Sequence, residues 1–136
     1  MSTMRVLVTG SRVITPAEAE LVRAVLRRTT GTAIGNGRDV VIVQGECPSG
    51  GVDAVASLWA AETAGVTSEG HAADWLHGKA GGPKRNTRMV GLGADICLAF
   101  PAKGSRGTWD CLRKAVEAGI YTEVYPLHRQ STEAVA

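Results

Sequence analysis

The sequence predicts one α/β domain of Rossmann type, a mostly parallel sheet of about five strands with helices on both faces. Short runs of Val, Leu and Ile alternate with stretches of helical spacing, and this alternation is typical of parallel sheets. Gly- and Ser-rich loops follow the strand-like runs, and 136 residues suit one domain. We expect the domain to span residues 1–127, and the polar residues 128–136 to form a flexible tail because they carry no packing pattern.

The first half of the chain contains two strand–helix units. Met4 to Thr9 predicts a buried strand, and the segment Thr15 to Glu18 combines an N-cap, a proline and a capping box at the start of a helix. We expect this helix to end before Gly31, because residues 31–39 contain three glycines. Val40 to Val43 predicts the second strand, and the spacing from Val52 to Ala60 predicts the second helix.

The second half continues the alternation. Val66 to His71 is a weaker strand pattern, and Lys84 to Val90 predicts a short helix. Ala94 to Phe100 predicts a fourth strand that stops at a proline. Thr108 to Ala118 has helical spacing, and Ile120 to Tyr125 predicts the last strand.

Composition excludes several classes of protein. A net charge of +2 argues against a dedicated duplex-DNA binder. Three isolated cysteines argue against a disulfide framework or structural zinc. His71, Asp74 and His77 lie close in sequence but lack further strong ligands nearby, so we predict no metal, and we expect no cofactor. The apolar runs are too short to cross a bilayer, and we expect a cytoplasmic protein without membrane partners.

Four strand-to-helix loops carry candidate ligand-binding residues, because open parallel sheets bind ligands beyond the carboxyl ends of their strands. The first loop contains Gly10, Ser11 and Arg12. Glycine permits close approach of a ligand, serine offers a hydroxyl, and arginine can clamp an anion. An ordinary tight turn explains the same residues equally well.

The second and fourth loops share one sequence pattern, in which a glycine-rich helix start is followed by a carboxylate. Gly50 and Gly51 can present N–H groups to a phosphate, and Asp53 can bond a ribose hydroxyl or simply complement the helix dipole. The candidates of the fourth loop are Ser105, Arg106, Gly107, Thr108 and Asp110. Helix capping by Thr108 is an equally good explanation of that loop.

The third loop is basic. Lys79, Arg85 and Asn86 are its candidate ligand-binding residues, with the last two inside the short predicted helix. A solvated basic surface is the alternative explanation.

Missing motifs narrow the function further. No G-x-G-x-x-G follows the first strand, and Gln44 stands where a dehydrogenase-type acid would end the second strand. The chain also lacks the P-loop motif and the G-x-S-x-G nucleophile elbow. A dehydrogenase-type NAD site, a P-loop NTPase and the common hydrolase triad are therefore disfavoured.

Taken in order, V-T-G-S-R, G-G-V-D, G-P-K-R-N-T-R-M and S-R-G-T-W-D-C resemble the YspA/YpsA-related family of the SLOG superfamily, which occurs in bacteria and their phages. The similarity runs from about Arg5 to Tyr125. It implies a Rossmann-like sheet that binds nucleotides or nucleotide-derived molecules. The superfamily also contains the lonely-guy phosphoribohydrolases, which cleave the N-glycosidic bond of nucleoside 5′-monophosphates, and the DNA-processing protein DprA.

This resemblance assigns catalytic roles to Arg85 and Asp110 if the protein is an enzyme. Asp110 stands where the lonely-guy enzymes carry a longer glutamate, and Cys111 replaces their second acid. Such a shortening displaces a carboxylate by about 1 Å, which costs much of a catalytic rate. Our first hypothesis is therefore a sensor or sequestering module for a nucleotide-derived ligand, with a homodimer as a further expectation. Phosphoribohydrolase activity is the second hypothesis, and single-stranded nucleic-acid binding is the third.

Overall fold

Strands and helices alternate strictly through residues 2–127, which are the residues that the computed structural model describes. The strands are β1 (Met4–Gly10), β2 (Val40–Gln44), β3 (Val66–Gly70), β4 (Ile96–Phe100) and β5 (Thr122–Val124). The helices are α1 (Pro16–Gly35), α2 (Gly51–Glu62), α3 (Gly81–Gly91) and α4 (Arg106–Glu117). The flexible tail expected at residues 128–136 lies outside the described residues.

All five strands pair in parallel in the order β3-β2-β1-β4-β5. The chain builds outward from central β1 to β3, then crosses to the other side of β1 with β4. This order matches the first five strands of the doubly wound Rossmann sheet, 3-2-1-4-5-6, and it confirms the predicted fold class. The reversal of direction places a crevice between the loops that follow β1 and β4.

Helices cover both faces of the sheet, as predicted. Successive strand residues point to opposite faces, so Val6 and Val8 pack in one core with α1 and α2, whereas Leu7 and Cys97 pack in a second core with α3 and α4. Among the described helices, none is long and apolar enough to cross a membrane.

Helix α1 begins as the sequence predicts but ends later. Thr15 and Glu18 form both bonds of the capping box. The expectation that the helix ends before Gly31 was wrong, because it continues to Gly35. Ala33, in that last part, is 6% exposed in the first core. A helical glycine costs about 1 kcal/mol relative to alanine, and the burial of Ala33 together with Ile34, which packs against the same core, offsets this cost.

A polar cluster supports the sheet beside the site. The guanidinium of Arg5 reaches across β2 and donates two hydrogen bonds, of 2.9 and 3.0 Å, to the carboxylate of Glu69 on β3. His71 Nε2 lies 2.7 Å from the same carboxylate. The hydrogen bonds from Arg5 and His71 lower the pKa of Glu69 to about 2, so this ion pair persists through the neutral pH range.

Candidate functional site

The first loop and the start of α2 are locked together by backbone contacts. The Val52 N–H donates to the Ser11 carbonyl at 3.0 Å, and Gly51, at φ +60°, lies so close to that carbonyl that a Cβ would overlap it. A Cβ at Gly10 would lie 2.5 Å from the Val52 side chain. These glycines therefore permit close packing of α2 on β1, and the N–H of Val52 is already satisfied.

Ser11 is buried, and its hydroxyl forms hydrogen bonds within its own loop. Its hydroxyl donates to the Val13 carbonyl at 2.7 Å and accepts from the Val13 N–H at 3.2 Å. Gly50 precedes α2 with φ +89° and completes the turn into this helix. The serine and the two glycines thus shape the wall of the crevice.

Asp53 lies buried in the first turn of α2, with 9% exposure. Its Oδ2 accepts the Cys47 N–H at 3.2 Å and so ties α2 to the loop after β2. Burial raises the pKa of Asp53 to about 6, although the backbone hydrogen bond from Cys47 and the positive charge of Arg85 act in the opposite direction. Asp53 therefore changes its charge close to neutral pH.

Arg85 reaches from α3 to the carboxyl end of β2. Its Nη1 makes a short hydrogen bond to the Gly45 carbonyl and a longer contact of 3.4 Å to the His71 carbonyl, and its Nε donates to Asn86 Oδ1 at 2.9 Å. A Cβ on Gly45 would collide with the guanidinium. Glycine at this position is therefore required for Arg85 to lie where it does.

Asn86 connects α3 to the start of α4. It is 2% exposed, and its Nδ2 donates to the Gly107 carbonyl at 3.1 Å and to Asp110 Oδ2 at 3.0 Å. The structure thus brings four predicted site residues into one hydrogen-bonded chain: Arg85, Asn86, Gly107 and Asp110.

Asp110 carries two cationic partners of its own. Arg113 Nη2 lies 2.8 Å from Oδ1, and Lys114 Nζ lies 2.9 Å from Oδ2. Burial acts to raise the pKa of Asp110, but hydrogen bonds from Lys114 and Asn86 outweigh it, so the pKa lies below its usual value. Asp110 is ionised at neutral pH, and both of its oxygens are engaged.

The remaining predicted residues occupy the rim and the wall of the site. Arg12, Lys79 and Arg106 are exposed. Thr108 is 3% exposed and is not the N-cap of α4, because that position belongs to Ser105. The Ser105 hydroxyl accepts the N–H of Ala102 at 2.9 Å, which closes the turn before α4.

The described residues line one cleft near these elements and another far from them. One of about 240 Å³ borders the start of α3, and its lining includes Lys84 and Arg88. A larger, open groove of about 640 Å³ lies at the opposite, amino-terminal edge of the sheet. The charged side chain lining that groove, Asp95, accepts the Arg5 N–H. Within residues 2–127 no group of three or more His, Cys, Asp or Glu side chains is arranged to hold a metal.

Comparison with known proteins agrees with this architecture. The model of the family described as YspA, cpYpsA-related SLOG matches residues 4–78. The chain belongs to this family. The gene 61 protein of Mycobacterium phage D29 is 43% identical over 124 residues, which cover 85% of this chain and 91% of that protein. No solved structure gave a significant match. Membership of the SLOG family indicates a nucleotide-related role.

Sequence reasoning missed three contributors to the site. The Gly45 carbonyl accepts a hydrogen bond from the guanidinium of Arg85, and Lys114 forms an ion pair with Asp110. Glu46 follows β2 with a φ of +49°. Two of these had a usable signal: the glycine ends an apolar strand, and Lys114 lies four residues after Asp110 on a predicted helix. The role of Glu46 depends on backbone geometry that no sequence pattern specifies.

Proposed function

We propose that this SLOG-family protein binds a nucleotide or nucleotide-derived small molecule at the carboxyl ends of its strands, as a sensor or sequestering module. The observation that carries the proposal is the fixed position of Arg85. Its guanidinium lies at the carboxyl end of β2 and is held there by Gly45 and Asn86. A guanidinium fixed in this way is suited to an anionic group such as a phosphate.

The surroundings of Arg85 fit the same ligand class. The Arg106 N–H bonds the Gly104 carbonyl at 2.8 Å, but the next N–H groups of the first turn of α4 have no intrahelical partner, and the helix dipole favours negative charge there. Asn86 fixes that end of α4 relative to Arg85 through the Gly107 carbonyl. The exposed cations Arg12, which follows β1, and Arg106, which begins α4, lie on the two sides of the crevice at which open sheets bind nucleotides.

Thermal denaturation with a panel of nucleotides, ADP-ribose and cyclic dinucleotides tests the proposal. At one hundred times its dissociation constant, a ligand adds about 2.7 kcal/mol to the free energy of unfolding, which raises the melting temperature by several degrees. Arg85→Ala should lose this shift. Arg27→Ala, which removes an exposed arginine of α1, should keep it. An absence of stabilisation by every compound would refute the proposal.

Phosphoribohydrolase activity is the alternative function, and Asp110 is the residue that suggests it. An ionised carboxylate can stabilise the positive charge that develops on a ribose. However, the charge of Asp110 is already shared with Arg113 and Lys114. We therefore expect binding without turnover. Release of adenine from AMP, abolished in Asp110→Asn and Arg85→Ala, would replace this view with the enzymatic one.

Single-stranded nucleic-acid binding is the remaining alternative, and the exposed basic residues Lys79, Lys84 and Arg88 motivate it. Strand-binding proteins combine basic grooves with aromatic stacking platforms, and aromatic residues make up 4% of this chain. Salt-dependent retention of a labelled oligonucleotide would favour this alternative over a small-molecule site.

A further inference from the structure

Glu46 has an unusual backbone conformation for its residue type. Within residues 2–127 it is the only residue other than glycine with a positive φ, at +49°. This left-handed region costs free energy for any residue with a Cβ. Such conformations persist only where the surrounding structure holds them, and they concentrate at functional sites.

A buried amide holds Glu46 in this conformation. Gln44 is 3% exposed, and its Oε1 accepts the Glu46 N–H at 2.6 Å. Its Nε2 donates to the hydroxyl of Ser68 on β3 at 3.2 Å. Both ends of the Gln44 amide are therefore used to fix the chain where β2 ends.

The carboxylate of Glu46 lies against the end of the neighbouring strand. A Cβ on Gly70 would overlap it, so the glycine makes room for this side chain. Glu46 is exposed, and no described residue forms an ion pair with its carboxylate. The fold therefore presents a solvent-facing carboxylate from a fixed backbone at the carboxyl edge of the sheet.

We propose that Glu46 accepts hydrogen bonds from the vicinal hydroxyls of the ligand's ribose and thereby selects ribonucleotides over deoxyribonucleotides. This inference rests on the proposed nucleotide site. An ionised carboxylate only accepts hydrogen bonds, and two adjacent hydroxyls supply two donors. In doubly wound sheets the sugar of a bound nucleotide lies within reach of an acid that follows the second strand.

Neighbouring residues support this role. The carbonyl of Gly45, the residue before Glu46, accepts a hydrogen bond from the guanidinium of Arg85. The cation proposed for the phosphate is therefore bound next in sequence to the carboxylate proposed for the sugar. Asp53 was the sequence-based candidate for the ribose, but its carboxylate is buried and accepts the Cys47 N–H. Glu46 remains accessible where Asp53 is not.

Calorimetric titration with matched ribo- and 2′-deoxyribonucleoside monophosphates of all four bases tests the inference. We expect the wild-type protein to bind AMP or another ribonucleotide about tenfold more tightly than its deoxy counterpart, since a hydrogen bond to a charged group is lost. Glu46→Gln should bring this ratio close to one, and it should weaken the deoxyribonucleotide, which keeps its 3′-hydroxyl, less than the ribonucleotide. Glu62→Gln, an exposed site at the far end of α2, should keep the wild-type ratio.

Glu46→Gly supplies a second readout that needs no ligand. Glycine adopts the left-handed conformation without the Cβ penalty, so this variant should melt at a higher temperature than the wild type and still lose the preference for ribonucleotides. Equal affinity of the wild type for both members of every pair would overturn the role of Glu46 and leave the nucleotide site intact. Binding of no member of any pair would overturn the inference, and an absence of stabilisation by ADP-ribose and cyclic dinucleotides as well would overturn that nucleotide site.

Discussion

Asp53→Asn should remove a pH dependence of stability that the buried carboxylate creates. The pKa of Asp53 is about 6 in the folded protein, against an ordinary value of 3.8. The folded state therefore binds this proton more tightly, and the associated stabilisation is complete below pH 3.8 and lost as pH rises through 6. Each unit of pKa difference corresponds to 1.36 kcal/mol, so the contribution is about 3 kcal/mol.

Urea denaturation of both proteins between pH 4 and pH 7 measures this contribution. The free energy of unfolding of Asp53→Asn, relative to wild type, should rise by about 2.4 kcal/mol across that interval, because the unfolded carboxyl is still partly protonated at pH 4. Asparagine can still accept the Cys47 N–H through its side-chain oxygen. Asp39→Asn, at an exposed position before β2, controls for the general loss of a carboxylate. A difference between Asp53→Asn and wild type that stays constant from pH 4 to pH 7 would refute the reasoning.

Arg85 offers an internal check on the same group. Its positive charge lowers the pKa of Asp53 against the effect of burial. In an Arg85→Ala background, the pH at which Asp53 loses its proton should therefore move upward. NMR titration of the Asp53 carboxyl carbon in both backgrounds reports this shift directly, and a downward shift would contradict the assigned electrostatics.

Further predictions concern the glycines and the thiols. Gly45→Ala should weaken nucleotide binding as much as Arg85→Ala in calorimetry, yet cost only about 1 kcal/mol of stability in urea, because the displaced group is the flexible end of a side chain. Gly51→Ala should cost about 1–3 kcal/mol or more, because its positive φ and a backbone oxygen leave no room for a Cβ. In a thiol assay at pH 8, half-buried Cys47 should react first. Cys97 and Cys111 should react only after unfolding, because burial raises the pKa of Cys97 to about 12 and that of Cys111 to about 11.

Local sequence patterns were sufficient to predict the order of elements. The capping box at Thr15 and the apolar run Val40 to Val43 specify a helix start and a strand through interactions within a few residues. The end of α1 was not predictable in this way, because the helix passes Gly31 owing to burial of Ala33 against distant strands. Tertiary packing decided that boundary, and no local window contains it.

In the site, too, some features could be predicted from local sequence and others could not. Glycine-rich helix starts and the pair Arg85–Asn86 were recognisable because their chemistry is local and their motif is specific. Whether a side chain points into the crevice or supports its wall was not recognisable. Asp53 proved to be a buried brace between α2 and the loop after β2, since its orientation follows from the packing of that helix on β1.

Arg85 originates in one helical layer and ends on the strand that both layers share, while α2 approaches that strand from the other side. A ligand that contacts this guanidinium and the α2 side together bridges two separately packed cores. Its binding free energy then opposes any motion that separates the layers. Slower amide hydrogen exchange should therefore appear in α2 and α3 at once, and occupancy of a small crevice becomes a change in rigidity on both faces of the sheet.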